Sequence, residues 1–124
     1  LVLDVNGIEA AVGQALKSVE QWRTDDAGSI CIIASSQAVR DAVARQFAAA
    51  GHKVAVIDAS QNLSVSSDVI HFATMHRAKG LEFDDVVVIA PSAYLGDPRD
   101  TETQRKLIYV ALTRAKRDAV LLKM

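Results

Sequence analysis

The 124-residue chain reads as a parallel, doubly wound α/β sheet with helices on both faces. Three observations point there. Ile30-Cys31-Ile32-Ile33-Ala34 and Val86-Val87-Val88-Ile89-Ala90 are continuous apolar runs, the pattern of strands buried on both faces. Between such runs lie segments whose apolar residues recur every three or four positions, the helical period. Strand and helix patterns alternate along the chain, which a parallel sheet requires.

Leu1 to Val5 reads as a short strand. Asn6 or Gly7 can start the first helix, whose buried stripe would be Ile8, Val12, Ala15, Leu16, Val19 and Trp22. Thr24 to Gly28 is a turn cluster, and Ser29 to Ala34 the second strand. Ser35 and Ser36 offer caps for a second helix carrying Val39, Val43, Phe47 and Ala50, and Gly51 stops it. Lys53 to Ile57 is the third strand, 58–67 a polar loop, and Val69 to Thr74 a fourth strand. Asp85 to Ala90 is the fifth, 91–101 a loop, 102–115 a helix, and Arg117 to Lys123 the last strand.

Composition narrows the class. Half the residues are hydrophobic and 23% charged, which excludes a disordered chain and allows one core-bearing domain over 1–124. The net charge of −1 gives no bulk argument for nucleic acid, but its distribution is uneven. Residues 1–70 hold five Lys and Arg against eight Asp and Glu, whereas 71–124 hold nine against seven. The basic excess is equally consistent with a solvated helix face. The lone cysteine, Cys31, lies inside a strand pattern and fits a core thiol in a reducing, cytoplasmic setting. No apolar run approaches the roughly 18 residues of a membrane span. The chain opens on Leu1 rather than methionine, so a piece of a longer protein is expected.

Two polar clusters stand against this apolar background. In the first, Thr74-Met75-His76-Arg77-Ala78-Lys79-Gly80-Leu81-Glu82-Phe83, the side chains of Thr74 and His76 can donate to phosphate oxygens. Gly80 permits close approach of a ligand, and Glu82 can accept from sugar hydroxyls. A helix cap with a Lys79–Glu82 surface pair explains the same residues. In the second, Leu107-Ile108-Tyr109-Val110-Ala111-Leu112-Thr113-Arg114-Ala115-Lys116, Arg114 follows a buried helical stripe. A guanidinium held there can fork onto phosphate oxygens. It can equally serve as a cation at a helix C-terminus. Both clusters are expected along one edge of the sheet, where open α/β sheets bind ligands. His52 and His71 have no metal-ligand spacing, and no metal site is expected.

Taken together, the two clusters closely resemble motifs V and VI of UvrD/Rep-like superfamily 1 helicases, in order and in the strands that follow. Ile30 to Arg40 resembles motif IV more loosely. The resemblance implies a RecA-like, P-loop NTPase-type fold, specifically the C-terminal (second) motor domain of an ATP-dependent helicase or translocase. It implies that Thr74 and His76 touch the phosphates of single-stranded DNA, with RNA left open. Gly80 and Glu82 would lie by the ATP, Glu82 on its ribose, and Arg114 would be the arginine finger on the γ-phosphate. The Walker A and Walker B residues, and the Mg²⁺ they hold, belong to the N-terminal RecA-like domain, the implied partner. None of those residues is present, so the isolated chain is expected to be inactive. Two departures stand out. The motif IV strand of the family is followed by an arginine, where this chain has Ala34. Only about 30 residues separate motifs IV and V, as in compact relatives or after removal of an accessory domain. The other reading is a non-catalytic RecA-like module that docks to a partner.

Overall fold

The computed structural model describes residues 2–24, 28–57, 69–75, 77–78, 81–90 and 108–124. Six strands form one sheet: β1 (Val2–Asp4), β2 (Ile30–Ala34), β3 (Val54–Val56), β4 (Ile70–Thr74), β5 (Phe83–Ala90) and β6 (Ala115–Lys123). Their order across the sheet is β1-β6-β5-β2-β4-β3, and every pairing is parallel. Helices α1 (Ile8–Thr24) and α2 (Gln37–Ala49) cover one face. A short helix, α3 (108–112), lies on the other. The expected class is therefore observed, with helices on both faces.

The helices form where apolar spacing meets end signals. α1 buries Ala11, Val12, Ala15, Val19 and Trp22, one stripe at helical spacing. The Ser36 side chain caps α2 by accepting from Val39 N at 3.3 Å. α2 ends in a Schellman turn: Gly51 N donates to Ala48 O at 3.1 Å and His52 N to Phe47 O at 3.1 Å. Gly51 takes φ +96°, which a residue without Cβ adopts freely.

β2 is the centre of the sheet, and all five of its residues are buried. Ile30 and Ile32 join the cluster under α1 and α2, with Phe47, Phe72, Val87 and Leu122. Cys31 and Ile33 point the other way, with Met75, Ala78, Phe83, Val88, Ile108 and Ala111. Each fully buried aliphatic side chain of this kind contributes about 1.5–3 kcal/mol. Burial also pushes the Cys31 thiol far up, so it is an inert core group. His71 is buried too, its ring 5.6 Å from that of Phe83. Among the described residues no helix is long and apolar enough to cross a membrane.

Boundaries differ from the sequence expectation in two places. β5 begins at Phe83, ahead of the expected Asp85, and β6 at Ala115, ahead of the expected Arg117. Of the helix expected over 102–115, residues 108–112 are helical and 113–114 form a turn, so the strand starts where the helix was expected to end. The loops expected at 58–67 and 91–101 lie outside the described residues.

The amino end of β5 is locked by polar contacts. Asp84 accepts from Ser29 N at 2.8 Å, and Asp84 N donates to Ser29 Oγ at 3.0 Å. A Cβ on Gly28 would collide with the Asp84 carboxylate, so glycine is needed there. Next to it, Asp85 is fully buried, and among the described residues neither carboxylate oxygen has a hydrogen-bond partner. Loss of solvation raises its pKa; Arg117 opposes this, while Asp118 and Asp84 add to it. The Asp118 main chain also lowers it, through an approach that falls short of good hydrogen-bond geometry.

A folded value above the unfolded one means that Asp85 supports stability fully below about pH 4, the unfolded carboxyl value. That support is lost as pH rises through the folded value. Asp85→Asn removes the loss. Its advantage in melting temperature over the parent should therefore be larger at pH 7 than at pH 4. An advantage that does not change with pH would mean that Asp85 is not the titrating group.

Candidate functional site

The parallel sheet has an amino edge and a carboxyl edge, and the candidate residues divide between them. Phe83 N donates to Arg114 O at 2.8 Å, and Phe83 pairs in register with Ala115. Glu82 and Arg114 therefore sit at the adjoining starts of β5 and β6, on the amino edge. Phe83 is fully buried and Ala115 packs against the same cluster, so both strand starts are anchored.

Arg114 is positioned by the end of α3. Ile108 and Ala111 are buried and seat the helix on the sheet. Its last turn closes through Thr113 N to Tyr109 O at 3.0 Å and Arg114 N to Ala111 O at 3.2 Å. The Val110 carbonyl then accepts from Thr113 Oγ1 at 2.9 Å and from Arg114 Nε at 3.1 Å. The half-buried guanidinium thus lies against the negative end of the helix, as a helix-end cation should. That contact uses Nε alone. The terminal amino groups have no partner among the described residues and can still fork onto an anion. Glu82 is exposed, and Lys116 Nζ lies 3.9 Å from its Oε2.

Thr74 lies on the opposite edge. It closes β4, in register with Ala34 at the end of β2, and Ala34 is in turn level with Ile89. From Phe83 to Ile89 the strand advances six residues at about 3.3 Å each, roughly 20 Å. The expectation that both clusters line one edge therefore holds for Glu82 and Arg114 and fails for Thr74. The reason is topological: β4 ends where Thr74 stands, whereas β5 and β6 begin where Glu82 and Arg114 stand. The Thr74 carbonyl accepts from Arg77 N at 3.1 Å and Ala78 N at 3.0 Å, so the chain turns at once. Met75 and Ala78, both buried, pin that turn to the sheet. His76 and Gly80, the other two candidates of this cluster, lie outside the described residues, as does Lys79.

The motif IV departure falls on the same carboxyl edge. Met75 N donates to Ala34 O at 3.2 Å, so Ala34 adjoins Thr74 in space. Arg40 pairs instead with Asp41, Nε to Oδ1 at 2.9 Å. The sequence reading missed the Ser29–Asp84 lock and the buried Asp85. The available signal was two consecutive acids just ahead of Val86-Val87-Val88, inside rather than outside the strand.

Residues 70–122 match the model of the UvrD-like helicase C-terminal domain. The ATP-dependent DNA helicase UvrD1 of Mycobacterium leprae (strain TN) is 38% identical over 66 residues, which is 48% of this chain and 8% of that protein. The chain thus spans a small fraction of that relative's length. The crystal structure of the C-terminal domain of a possible DNA helicase from Lactobacillus plantarum WCFS1 superposes with a TM-score of 0.78 at 28% identity, over 99% of this chain and 72% of that one. The C-terminal part of the Fun30 ATPase domain gives a TM-score of 0.54 at 12% identity, over 94% of this chain and 42% of that one, which is a likeness of fold alone. The chain has the fold of a helicase C-terminal domain. The likeness to the UvrD-like helicase C-terminal domain over 70–122 bears out the resemblance drawn from motifs V and VI.

Because Arg114 is half-buried and makes one side-chain hydrogen bond, Arg114→Ala should lower the stability of the domain by about 1 kcal/mol or less, the size of a helix-end charge contribution. Chemical denaturation of the purified chain measures this. A loss of several kcal/mol would make Arg114 a folding residue first.

Proposed function

We propose that this chain is the second motor domain of an ATP-driven DNA helicase or translocase. In this reading Arg114 is the arginine finger, Glu82 meets the ribose, and Thr74 and His76 contribute to the single-strand track. One observation supports it: Glu82 and Arg114, whose terminal amino groups have no partner among the described residues, sit at the adjoining starts of β5 and β6, at the sheet edge opposite Thr74. A nucleotide needs a hydroxyl acceptor and a phosphate donor close together, and a separate edge is left for the strand.

The donor set at the amino edge fits a nucleoside triphosphate. Arg114 supplies a planar, permanently charged donor whose terminal amino groups remain available among the described residues. Glu82 supplies an exposed acceptor. ATP, when bound, supplies the phosphoryl transfer that drives movement. The N-terminal RecA-like domain of the same protein would cradle its phosphates and hold Mg²⁺. Arg114 would act on charge that builds during transfer, in a cleft that the joining of the two domains keeps dry. Thr74 would contact backbone phosphates, which carry no base information and so suit a motor that moves along any sequence.

In the full-length protein, Arg114→Ala should lower DNA-stimulated ATP hydrolysis by roughly 10³–10⁵-fold, the range seen for finger arginines. Arg114→Lys should rescue poorly, because an ammonium does not reproduce the fork. Steady-state turnover, with a thermal midpoint for the same variants, tests this. Normal turnover in a folded Arg114→Ala protein would remove the finger and favour a non-catalytic docking module.

The isolated chain should show no magnesium-dependent turnover. Replacing Thr74 by Ala in the full-length protein should weaken single-strand binding by about 0.5–1.5 kcal/mol, the worth of one neutral hydrogen bond, and leave its salt slope unchanged, because a hydroxyl neutralises no phosphate charge. Unchanged affinity in a binding titration would place the track elsewhere.

A further inference from the structure

We propose that Lys116 is a positioning residue for Glu82, holding the carboxylate where it receives the ribose hydroxyls of a nucleotide. The proposal rests on reading the amino edge as the nucleotide site. Lys116 Nζ lies 3.9 Å from Glu82 Oε2, which leaves Oε1 for a sugar hydroxyl. Phe83 and Ala115 both face the cluster under α3. Neighbouring residues on a strand alternate in direction, so Glu82 and Lys116 leave the sheet on the same side, opposite that cluster. Arg114, two residues before Lys116, stands at the same edge, against the end of α3.

The backbone is irregular at this point. Phe83 pairs with Ala115 and Asp85 with Asp118, so β6 carries one more residue than β5 across this step. The extra residue falls at Lys116–Arg117, opposite Asp84. An insertion of this kind re-aims side chains and is common beside functional sites. Folding does not account for the pair. Its side chains are 57% and 65% exposed, and an ion pair so open to water contributes little to stability. The pair has a purpose in binding: the Lys116 ammonium fixes the direction of the Glu82 carboxylate, so that its other oxygen stands ready for a sugar hydroxyl.

The test uses the full-length protein, with isothermal titration of ATP and, separately, of inorganic tripolyphosphate, which has no ribose. Lys116→Ala should weaken ATP binding about two- to fivefold, the range an exposed charge pair gives, and leave tripolyphosphate binding unchanged. Lys116→Arg should retain ATP affinity, and adding Lys116→Ala to Glu82→Ala should cause no further loss. Both side chains are exposed, so thermal midpoints should stay at the parent value. Unchanged ATP affinity in Lys116→Ala overturns the proposal. So does an equal loss for tripolyphosphate, which would make Lys116 a phosphate contact, and so does a loss that adds to that of Glu82→Ala. If Glu82→Ala itself leaves ATP affinity unchanged, the amino edge is not the nucleotide site and both readings fall. If Glu82→Ala weakens ATP and Lys116→Ala does not, the positioning role alone is lost.

Discussion

The burial of β2 between two parallel neighbours is the constraint on which the rest of the structure depends. Ile30 to Ala34 have no exposed face, edge or end, and they bond to β4 on one side and β5 on the other. Their side chains supply both hydrophobic clusters, alternately. A charged or bulky residue here would disturb both layers, because close-packed interiors do not absorb volume changes locally. The register β2 imposes also sets the level of every strand that bears a candidate residue. Thr74 stands where it does because Ala34 is its partner, and Asp85 because Ile30 is.

The two edges differ in kind. At the amino edge the sheet meets the C-terminal ends of its helices, and the cations Arg23 and Arg114 lie there at or just beyond the ends of α1 and α3. At the carboxyl edge the sheet meets the N-terminal end of α2, whose cap is Ser36. Helix dipoles therefore make the carboxyl edge receptive to anions without help, whereas the amino edge needs its own basic side chains. A phosphate-bearing ligand at the amino edge must be gripped by side chains. The long-range order of the fold thus determines why arginine and lysine, rather than main-chain N–H groups, are the donors at that edge.

Much of this was legible in the sequence. Periodicity located α1, α2 and six strand patterns because apolar spacing reports directly on which faces are buried. Ser36 and Gly51 marked the ends of α2 through chemistry that a single residue carries. Three features were not legible. Asp84 hid the start of β5, since an acid reads as loop when its partner, Ser29, is distant in sequence. Ala115 and Lys116 read as the end of a helix because helical spacing cannot reveal that the Arg114 carbonyl is already bonded to Phe83. Thr74 and Glu82, eight positions apart, read as one cluster although they occupy opposite edges. Nearness along a chain says nothing of which end of a parallel strand a residue occupies. The motif resemblance agrees with the match over 70–122 without resolving that geometry.

The connection between β4 and β5 has a mechanical consequence. Parallel strands are ordinarily joined by a dozen or more residues, whereas here Thr74 and Phe83 are joined by eight. The two ends are roughly 20 Å apart along the strand direction, with β2 lying between the strands they belong to. Turns at Thr74–Ala78 and Ala78–Leu81 shorten the path further, since a helical turn advances only about 1.5–2 Å per residue. The hydrogen bonds from Ala78 N to Thr74 O and from Leu81 N to Ala78 O leave the connection little spare length, so the level of Thr74 and the level of the strand start beside Arg114 are set together.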